Sequence, residues 1–208
     1  MYYLDLCSGS KSMKDFKSDW DYISLDIEEK YSPDICINIL EWDYKKYFKE
    51  KGNFPEFIWF SPPCNEYSIL NSARPEKTPD IIGANKIVEK GLEIINFVNC
   101  PFVIENPQTG TLKKQGILDH INYADVDYCR FGFPYRKRTR LWNNLGFTGK
   151  LCDKKTCPFI KNGRHEYSIG NSTYKTNVKE IGQKKTRLQQ RYAVPEPLLK
   201  EINSFLPF

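Results

Sequence analysis

Short apolar runs that alternate with helix-like stretches over the first hundred residues constrain the fold of this chain most strongly. Five runs have the length and composition of strands, at residues 2–6, 22–27, 34–39, 57–60 and 102–104. Residues 79–98 repeat apolar side chains at helical spacing, and Thr78 with Pro79 predicts the cap and first turn of that helix. Strands that alternate with helices imply right-handed crossovers, so we expect an α/β fold with a doubly wound, mostly parallel sheet.

Length and composition favour one main domain in the cytoplasm. The 208 residues suffice for one sizeable core, and no apolar run approaches the roughly 20 residues that a membrane span needs. The N-terminus carries no basic leader, and seven cysteines form an odd count that fits reduced thiols better than a disulfide framework. We therefore expect a cytoplasmic, monomeric protein without a membrane partner.

The apolar pattern divides the chain into three parts. Residues 1–145 form the main domain, whereas residues 146–182 lose the apolar periodicity and predict a small irregular insertion. Residues 183–208 return to the main domain, and a closing helix is expected to start at Pro195 or Pro197.

Positive charge is concentrated in the C-terminal half of the chain. The net charge is +5, and Arg and Lys cluster in YRKRTRLW at residues 135–142 and in KKTRLQQR at residues 184–191. Such clusters suit a polyanionic partner. The alternative is a solvated face that only keeps the protein in solution.

Polar residues follow the first three predicted strands, where a parallel sheet binds its ligands. Asp5 and Gly9 follow the first strand, Asp26 ends the second, and Asn38 lies in the third. Asp26 is placed to accept hydrogen bonds from a ribose diol, and Asn38 offers a donor and an acceptor to an adenine edge. Together they indicate a nucleoside-containing cofactor with little phosphate, although such an acid can equally cap a helix.

The fourth and fifth strands lead into two stiff turns that carry a thiol and a carboxyl group. FIWF is followed by SPPC, so two prolines hold Cys64 at the edge of the sheet, and VIENP places Glu105 at the neighbouring edge. Cys64 is thus a candidate nucleophile facing the same cleft as Glu105. Free cysteines are more often packing residues, which is our interpretation of Cys7, Cys36 and Cys100.

These motifs, taken in chain order, resemble those of the DNA cytosine-5 methyltransferase family. They are DLCSGS at 5–10, SPPCNEYS at 61–68, ENP at 105–107, YCRFGFPYRKRTRLW at 128–142 and RYAVPEPLLKEI at 191–202. The resemblance covers most of the chain. It implies a Rossmann-like fold that binds S-adenosylmethionine, and a DNA substrate whose target base is flipped out, with RNA as the less favoured partner.

The resemblance also implies a role for each matched residue. Cys64, Glu105 and Asn106 would be catalytic. Cofactor binding would fall to Asp5, Leu6, Cys7, Gly9, Asp26, Ile27, Asn38, Ile39 and Pro62, and nucleic-acid binding to Arg136, Lys137, Arg138 and Arg140. Residues 1–145 would form the catalytic domain, and residues 146–182 a reduced target-recognition segment.

The chain departs from the family pattern in three places. Pro107 replaces the usual valine, the family's Gln-x-Arg-x-Arg falls on Tyr135, Lys137 and Thr139, and the stretch between Trp142 and Arg191 is too short for a large target-recognition domain. That size resembles compact phage or viral members. The alternatives are an amino-methylating enzyme acting on N4 of cytosine or N6 of adenine, a tRNA cytosine-5 methyltransferase, and a catalytically silent nucleic-acid-binding relic.

A second group of residues has the spacing of a small zinc knuckle. Cys152, Cys157 and His165 form a C-x4-C-x7-H pattern, and the fourth ligand is left open between Cys129 and His120. The alternative is a polar surface loop.

Overall fold

The computed structural model describes residues 1–73, 76, 78–167 and 192–207. The strands of the main sheet are β1 (Tyr2–Leu6), β2 (Asp21–Asp26), β3 (Ile35–Cys36), β4 (Phe57–Phe60), β5 (Phe102–Pro107), β6 (Tyr123–Asp127) and β7 (Arg138–Asn143). The helices are α1 (Tyr44–Lys51), α2 (Ile81–Val98) and α3 (Glu196–Asn203), and a small ribbon pairs β8 (Ile160–Lys161) with β9 (Arg164–His165). No helix in these ranges is long and apolar enough to cross a membrane.

The sheet has the strand order β3-β2-β1-β4-β5-β7-β6. β1 to β5 run parallel, and β7 lies antiparallel between β5 and β6. The strand order reverses between β1 and β4, so the carboxyl ends of these two strands border the crevice in which such sheets bind ligands. The expected α/β class with a doubly wound, mostly parallel sheet is confirmed.

Both faces of the sheet are covered, which explains why its central strands are apolar without interruption. Ile58 and Phe60 of β4 pack with α1 and α2, whereas Phe57 and Trp59 pack with α3 and the segment after β1. Close packing extends to the helix backbone, because a Cβ on Gly91 of α2 would lie 2.1 Å from the Phe60 ring.

Several predicted boundaries are wrong for local reasons. The third strand is only two residues long, because the Asn38 side chain accepts a hydrogen bond from Leu40 N and turns the chain. α2 begins at Ile81, and its cap is the Asp80 carboxylate, which accepts from Gly83 N at 2.8 Å, rather than Thr78 or Pro79. β5 runs on through Pro107, because β7 pairs with its residues 103–107.

The irregular insertion is described only over residues 146–167, where the β8–β9 ribbon is its regular element. The rest of the predicted insertion and the basic run at 184–191 lie outside the described residues. α3 starts at Glu196, directly after Pro195, and packs on the sheet as a returning C-terminal segment. The three-part division of the chain stays a prediction.

Candidate active site

The turn after β1 presents backbone to an open space. Gly9 has a φ of 46°, and a Cβ there would meet nothing within 4 Å. Its N–H donates to Asp26 Oδ2 at 2.7 Å, and Glu28 N donates to the other carboxylate oxygen at 2.9 Å. Ser8 Oγ is buried and has no hydrogen-bond partner among the described residues. The turn is therefore tied to the end of β2 and keeps an unused hydroxyl.

The proline turn after β4 is held by hydrogen bonds to its two neighbouring strands, β1 and β5. Ser61 N donates to Leu6 O at 3.0 Å, and Asn106 Nδ2 donates to Pro62 O at 2.9 Å. Asn106 is buried at the end of β5, so this bond links the turn that carries Cys64 to the strand that carries Glu105. Little backbone freedom remains for Cys64 to lose on binding a substrate.

Glu105 is held by two side chains from the connection between β6 and β7. It is 8% exposed, and its Oε1 lies 3.4 Å from Tyr128 OH and 3.4 Å from Lys137 Nζ. Burial raises the pKa of the Cys64 thiol above its ordinary value, the charge of Glu105 raises it further, and Lys137 opposes the shift. Cys64 is therefore a neutral thiol at neutral pH in the free protein.

One cavity of about 670 Å³ joins the glycine turn to this thiol–carboxyl pair. The predicted site residues that line it are Cys7, Gly9, Asp26, Ile27, Asn38, Ile39, Pro62, Cys64, Glu105, Arg136, Lys137 and Arg138. Tyr192, from the start of the C-terminal segment, also lines it. The cavity brings together residues from the ends of six strands, β1 to β5 and β7.

Four of the predicted site residues do not line the cavity. Leu6 is fully buried in the core, and the buried Asn106 side chain donates its hydrogen bond to Pro62 O of the proline turn. Asp5 is buried behind the glycine turn, where it accepts a hydrogen bond from Tyr22 OH at 2.8 Å, and burial raises its pKa to about 8. Direct contact of Asp5 and Leu6 side chains with a cofactor does not fit these positions.

Arg140 is the fourth predicted site residue that does not line the cavity. The basic residues at 136–140 differ in their ion-pair partners. Arg140 makes two hydrogen bonds to Asp125, at 2.8 and 2.9 Å, and lies 3.6 Å over the Tyr123 ring. Arg138 donates two hydrogen bonds to the Asp127 carboxylate, from Nε at 2.9 Å and from Nη2 at 2.6 Å.

The other two basic residues differ in exposure. Lys137 belongs with Glu105, and Arg136 keeps 42% of its side chain exposed, with its Nε 4.0 Å from Asp127. Arg136 is thus the one of the four best placed to meet a phosphate. The assignment of all four residues to nucleic-acid binding stays a prediction.

Comparison with known proteins identifies the family. A scan against protein-family models finds no match. A "Probable DNA (cytosine-5)-methyltransferase" of Frog virus 3 (isolate Goorha) is 32% identical over 222 aligned positions, which cover 97% of this chain and 98% of the viral protein. The chain belongs to the DNA (cytosine-5)-methyltransferase family.

A solved structure of similar fold accompanies this assignment of the methyltransferase. A crystal structure described as a DNA modification methyltransferase encoded within an E. coli prophage matches with a TM-score of 0.53 at 15% identity. The match covers 69% of this chain and 46% of the prophage protein, so the chain spans less than half of that protein. The S. pombe Dnmt2 methyltransferase matches with a TM-score of 0.47 at 14% identity, over 78% of this chain and 57% of that protein. The expected Rossmann-like methyltransferase fold is confirmed.

Sequence reasoning missed Tyr128, Asp125 and Asp127 of this methyltransferase. A signal for the two aspartates exists, because the D-x-D of β6 lies in register with the R-x-R of β7, Asp127 opposite Arg138 and Asp125 opposite Arg140. Opposite charges at alternate positions of two candidate strands favour pairing. Nothing local distinguishes Tyr128, because its contact with Glu105 joins positions that are 23 residues apart.

Proposed function

We propose that this protein transfers a methyl group from S-adenosylmethionine to C5 of cytosine in DNA, through a covalent bond between Cys64 and C6 of the base. The observation that carries the proposal is the single cavity that runs from the Gly9–Asp26 turn to Cys64 and Glu105. A methyl donor held at one end would face a base held at the other. The activity named for the relative from Frog virus 3 supports DNA as the substrate.

The residues at the β1 end of the cavity fit this cofactor. The turn has one glycine with positive φ and open space above it, and the buried Ser8 hydroxyl has a hydrogen bond to give. Asp26 accepts one backbone bond on each oxygen, which leaves each with a lone pair for a ribose hydroxyl. Asn38 and the exposed Ile27 border the space for the adenine. When bound, the cofactor supplies an electrophilic methyl group.

Cys64 would activate the base. C5 of cytosine is a poor nucleophile. Once a base has taken the proton of the Cys64 thiol, addition of the thiolate to C6 would turn the ring into an enamine whose C5 can accept the methyl group. Loss of the C5 proton to a base then returns the electron pair to the ring, and the Sγ–C6 bond breaks to release thiolate and 5-methylcytosine. The rigid proline turn holds Sγ in one place throughout these steps.

Glu105 would stabilise the base as the thiolate adds. Glu105 would take up a proton in the complex, donate it to N3 and accept a hydrogen bond from the exocyclic amine, which offsets the charge that develops in the ring. Tyr128 and Lys137 hold this carboxyl group in a buried place, which fixes its direction toward the cavity. Lys137 also lowers the pKa of Cys64, so one lysine serves both groups.

Access to the base requires that it leave the duplex, at a cost of a few kcal/mol. We propose that Arg136 and the segment at 146–167 contact the phosphates that anchor the strand, since Arg136 lines the cavity and is the most exposed cation of its run.

The decisive experiment uses DNA and RNA that carry 5-fluorocytosine, together with tritiated methyl transfer to the unmodified substrates. Fluorine at C5 does not leave as a proton does, so the wild type should accumulate a covalent protein–DNA adduct that survives denaturation. Cys64→Ser should bind the cofactor and form no adduct, because a serine hydroxyl is far less nucleophilic than a thiol. Cys100→Ser is the matched control, since Cys100 lies at the opposite end of β5.

Each alternative gives a different product. N4-methylcytosine or N6-methyladenine without an adduct would point to an amino-methylating enzyme, and transfer to RNA alone to a tRNA enzyme. Binding of DNA with no transfer would indicate a silent relic. Full 5-methylcytosine formation by Cys64→Ser would refute the nucleophile assignment.

A further inference from the structure

Four potential metal ligands converge outside the active-site cavity. They are Cys129, Cys152, Cys157 and His165, whose ligand atoms all lie within 4.8 Å of one another. Cys129 and Cys157 are buried, and all seven cysteines of the chain, each in a described range, are free thiols. The fourth member is thus Cys129, and His120 takes no part in the group.

Two separations within this cluster match those of a tetrahedral zinc site. Zinc binds sulfur at about 2.3 Å and imidazole nitrogen at about 2.0–2.1 Å, so tetrahedral angles put the two ligand atoms about 3.5 Å apart. Cys152 Sγ and Cys157 Sγ each lie 3.5 Å from His165 Nε2. The Cys152 and Cys157 sulfurs are therefore spaced from the imidazole nitrogen as ligands of one tetrahedral zinc ion would be, and Cys129 Sγ lies within 4.8 Å of all three atoms.

The cluster joins elements that are distant along the chain. Cys129 lies in the short helical turn Tyr128–Phe131 that follows β6, and His165 lies on β9. Cys152 and Cys157 come from the irregular segment between them, where Cys157 is the buried hydrophobic residue of the range 148–167. A segment without an apolar core is where proteins use a structural metal.

We infer that Cys129, Cys152, Cys157 and His165 bind one structural zinc ion, which fixes the irregular segment against the sheet. This segment lies beside the basic wall of the cavity, which consists of residues 136–138. The link to that wall runs through Asp127. Cys152 N donates to Asp127 Oδ2 at 2.8 Å, and the same oxygen accepts from Arg138 Nη2. Asp127 N also donates to Lys150 O at 3.0 Å. The zinc thus holds in place the backbone that orients Arg138.

The first test measures metal in the intact protein, purified without chelators from zinc-supplemented cells. The wild type and Cys100→Ser should contain about one zinc ion per chain, and Cys152→Ser and His165→Ala about tenfold less. After exchange, cobalt(II) should show the thiolate charge-transfer and tetrahedral ligand-field absorption of a Cys3His site. These measurements do not depend on methyl transfer, so they stand apart from the proposed function.

A second measurement guards against variants that fail to fold. A strong chelator added to the wild type should lower its melting temperature, and zinc but not magnesium should restore it, because the site is made of thiolates and an imidazole. A wild-type protein with less than about one-tenth of a zinc ion per chain after zinc reconstitution, and no cobalt–thiolate absorption, would overturn the inference. So would full zinc content in both Cys152→Ser and His165→Ala.

Discussion

The ion pair between Lys137 and Glu105 should couple stability to the reactivity of Cys64. The two side chains are only 10% and 11% exposed, and their charged atoms are 3.4 Å apart. Coulomb's law at this separation gives about 5 kcal/mol with an effective dielectric constant of about 20, and about 1 kcal/mol in bulk water. Because desolvation of both ions offsets part of the attraction, we expect a coupling free energy of about 1–3 kcal/mol.

A double-mutant cycle measures this coupling. Lys137→Met, Glu105→Gln and the double variant would be unfolded in urea at neutral pH. The coupling free energy is the difference between the change in unfolding free energy of the double variant and the sum of the changes of the two single variants. Lys137→Met alone should cost the most, because it leaves the buried Glu105 carboxylate without its cation. A coupling below about 0.5 kcal/mol would refute the reasoning.

The same variants should move the reactivity of Cys64 in opposite directions. Lys137 lowers and Glu105 raises the pKa of the Cys64 thiol. Alkylation by iodoacetamide, followed at the Cys64 peptide by mass spectrometry, should therefore be slower in Lys137→Met and faster in Glu105→Gln at a given pH. A change of the same sign in both variants would indicate altered access rather than electrostatics, and would contradict the assigned charges.

Two further predictions concern Asp5 and the basic run. Burial raises the pKa of Asp5 from 3.8 to about 8, so its neutral form stabilises the fold fully below about pH 4, and that stability is lost as the pH rises toward 8. Asp5→Asn should therefore raise the melting temperature at pH 8 and not at pH 4; equal shifts at both would contradict the buried acid. Arg136→Gln should reduce the slope of log affinity for DNA against log salt by about one, and Arg140→Gln should leave it unchanged, because Arg140 is bound to Asp125. Equal loss of slope in both variants would mean that Arg140 also meets phosphate.

The fold was largely predictable because its signals are local. Apolar runs such as FIWF mark strands covered on both faces, and the residues that follow them reach the sheet edge by topology alone. Cys64, Glu105 and Asp26 could be placed in one cleft on that basis. Boundaries were less predictable. Thr78 and Asp80 can both cap a helix, and it is the Asp80 carboxylate that accepts the hydrogen bond from the first turn of α2.

The parts that escaped prediction depend on contacts between distant segments. Lys137 looked like one more phosphate contact, and only the pairing of β7 with β5 shows that it lies against Glu105. Cys129 could be named as a candidate metal ligand, but only the fold brings it to His165. Charge and spacing along the chain do not contain these distances.

Because β7 lies antiparallel between β5 and β6, the length of the connection from β6 to β7 determines which residues meet at the site. Between β6 and β7 the chain passes through Tyr128, Cys129 and Lys137, which belong respectively to the Glu105 contact, the metal cluster and the Glu105 ion pair. One residue added or removed there would shift β7 by one position and turn Arg138 away from Asp127. The connection therefore acts as a fixed spacer, whose length must be kept even where its individual side chains can be exchanged.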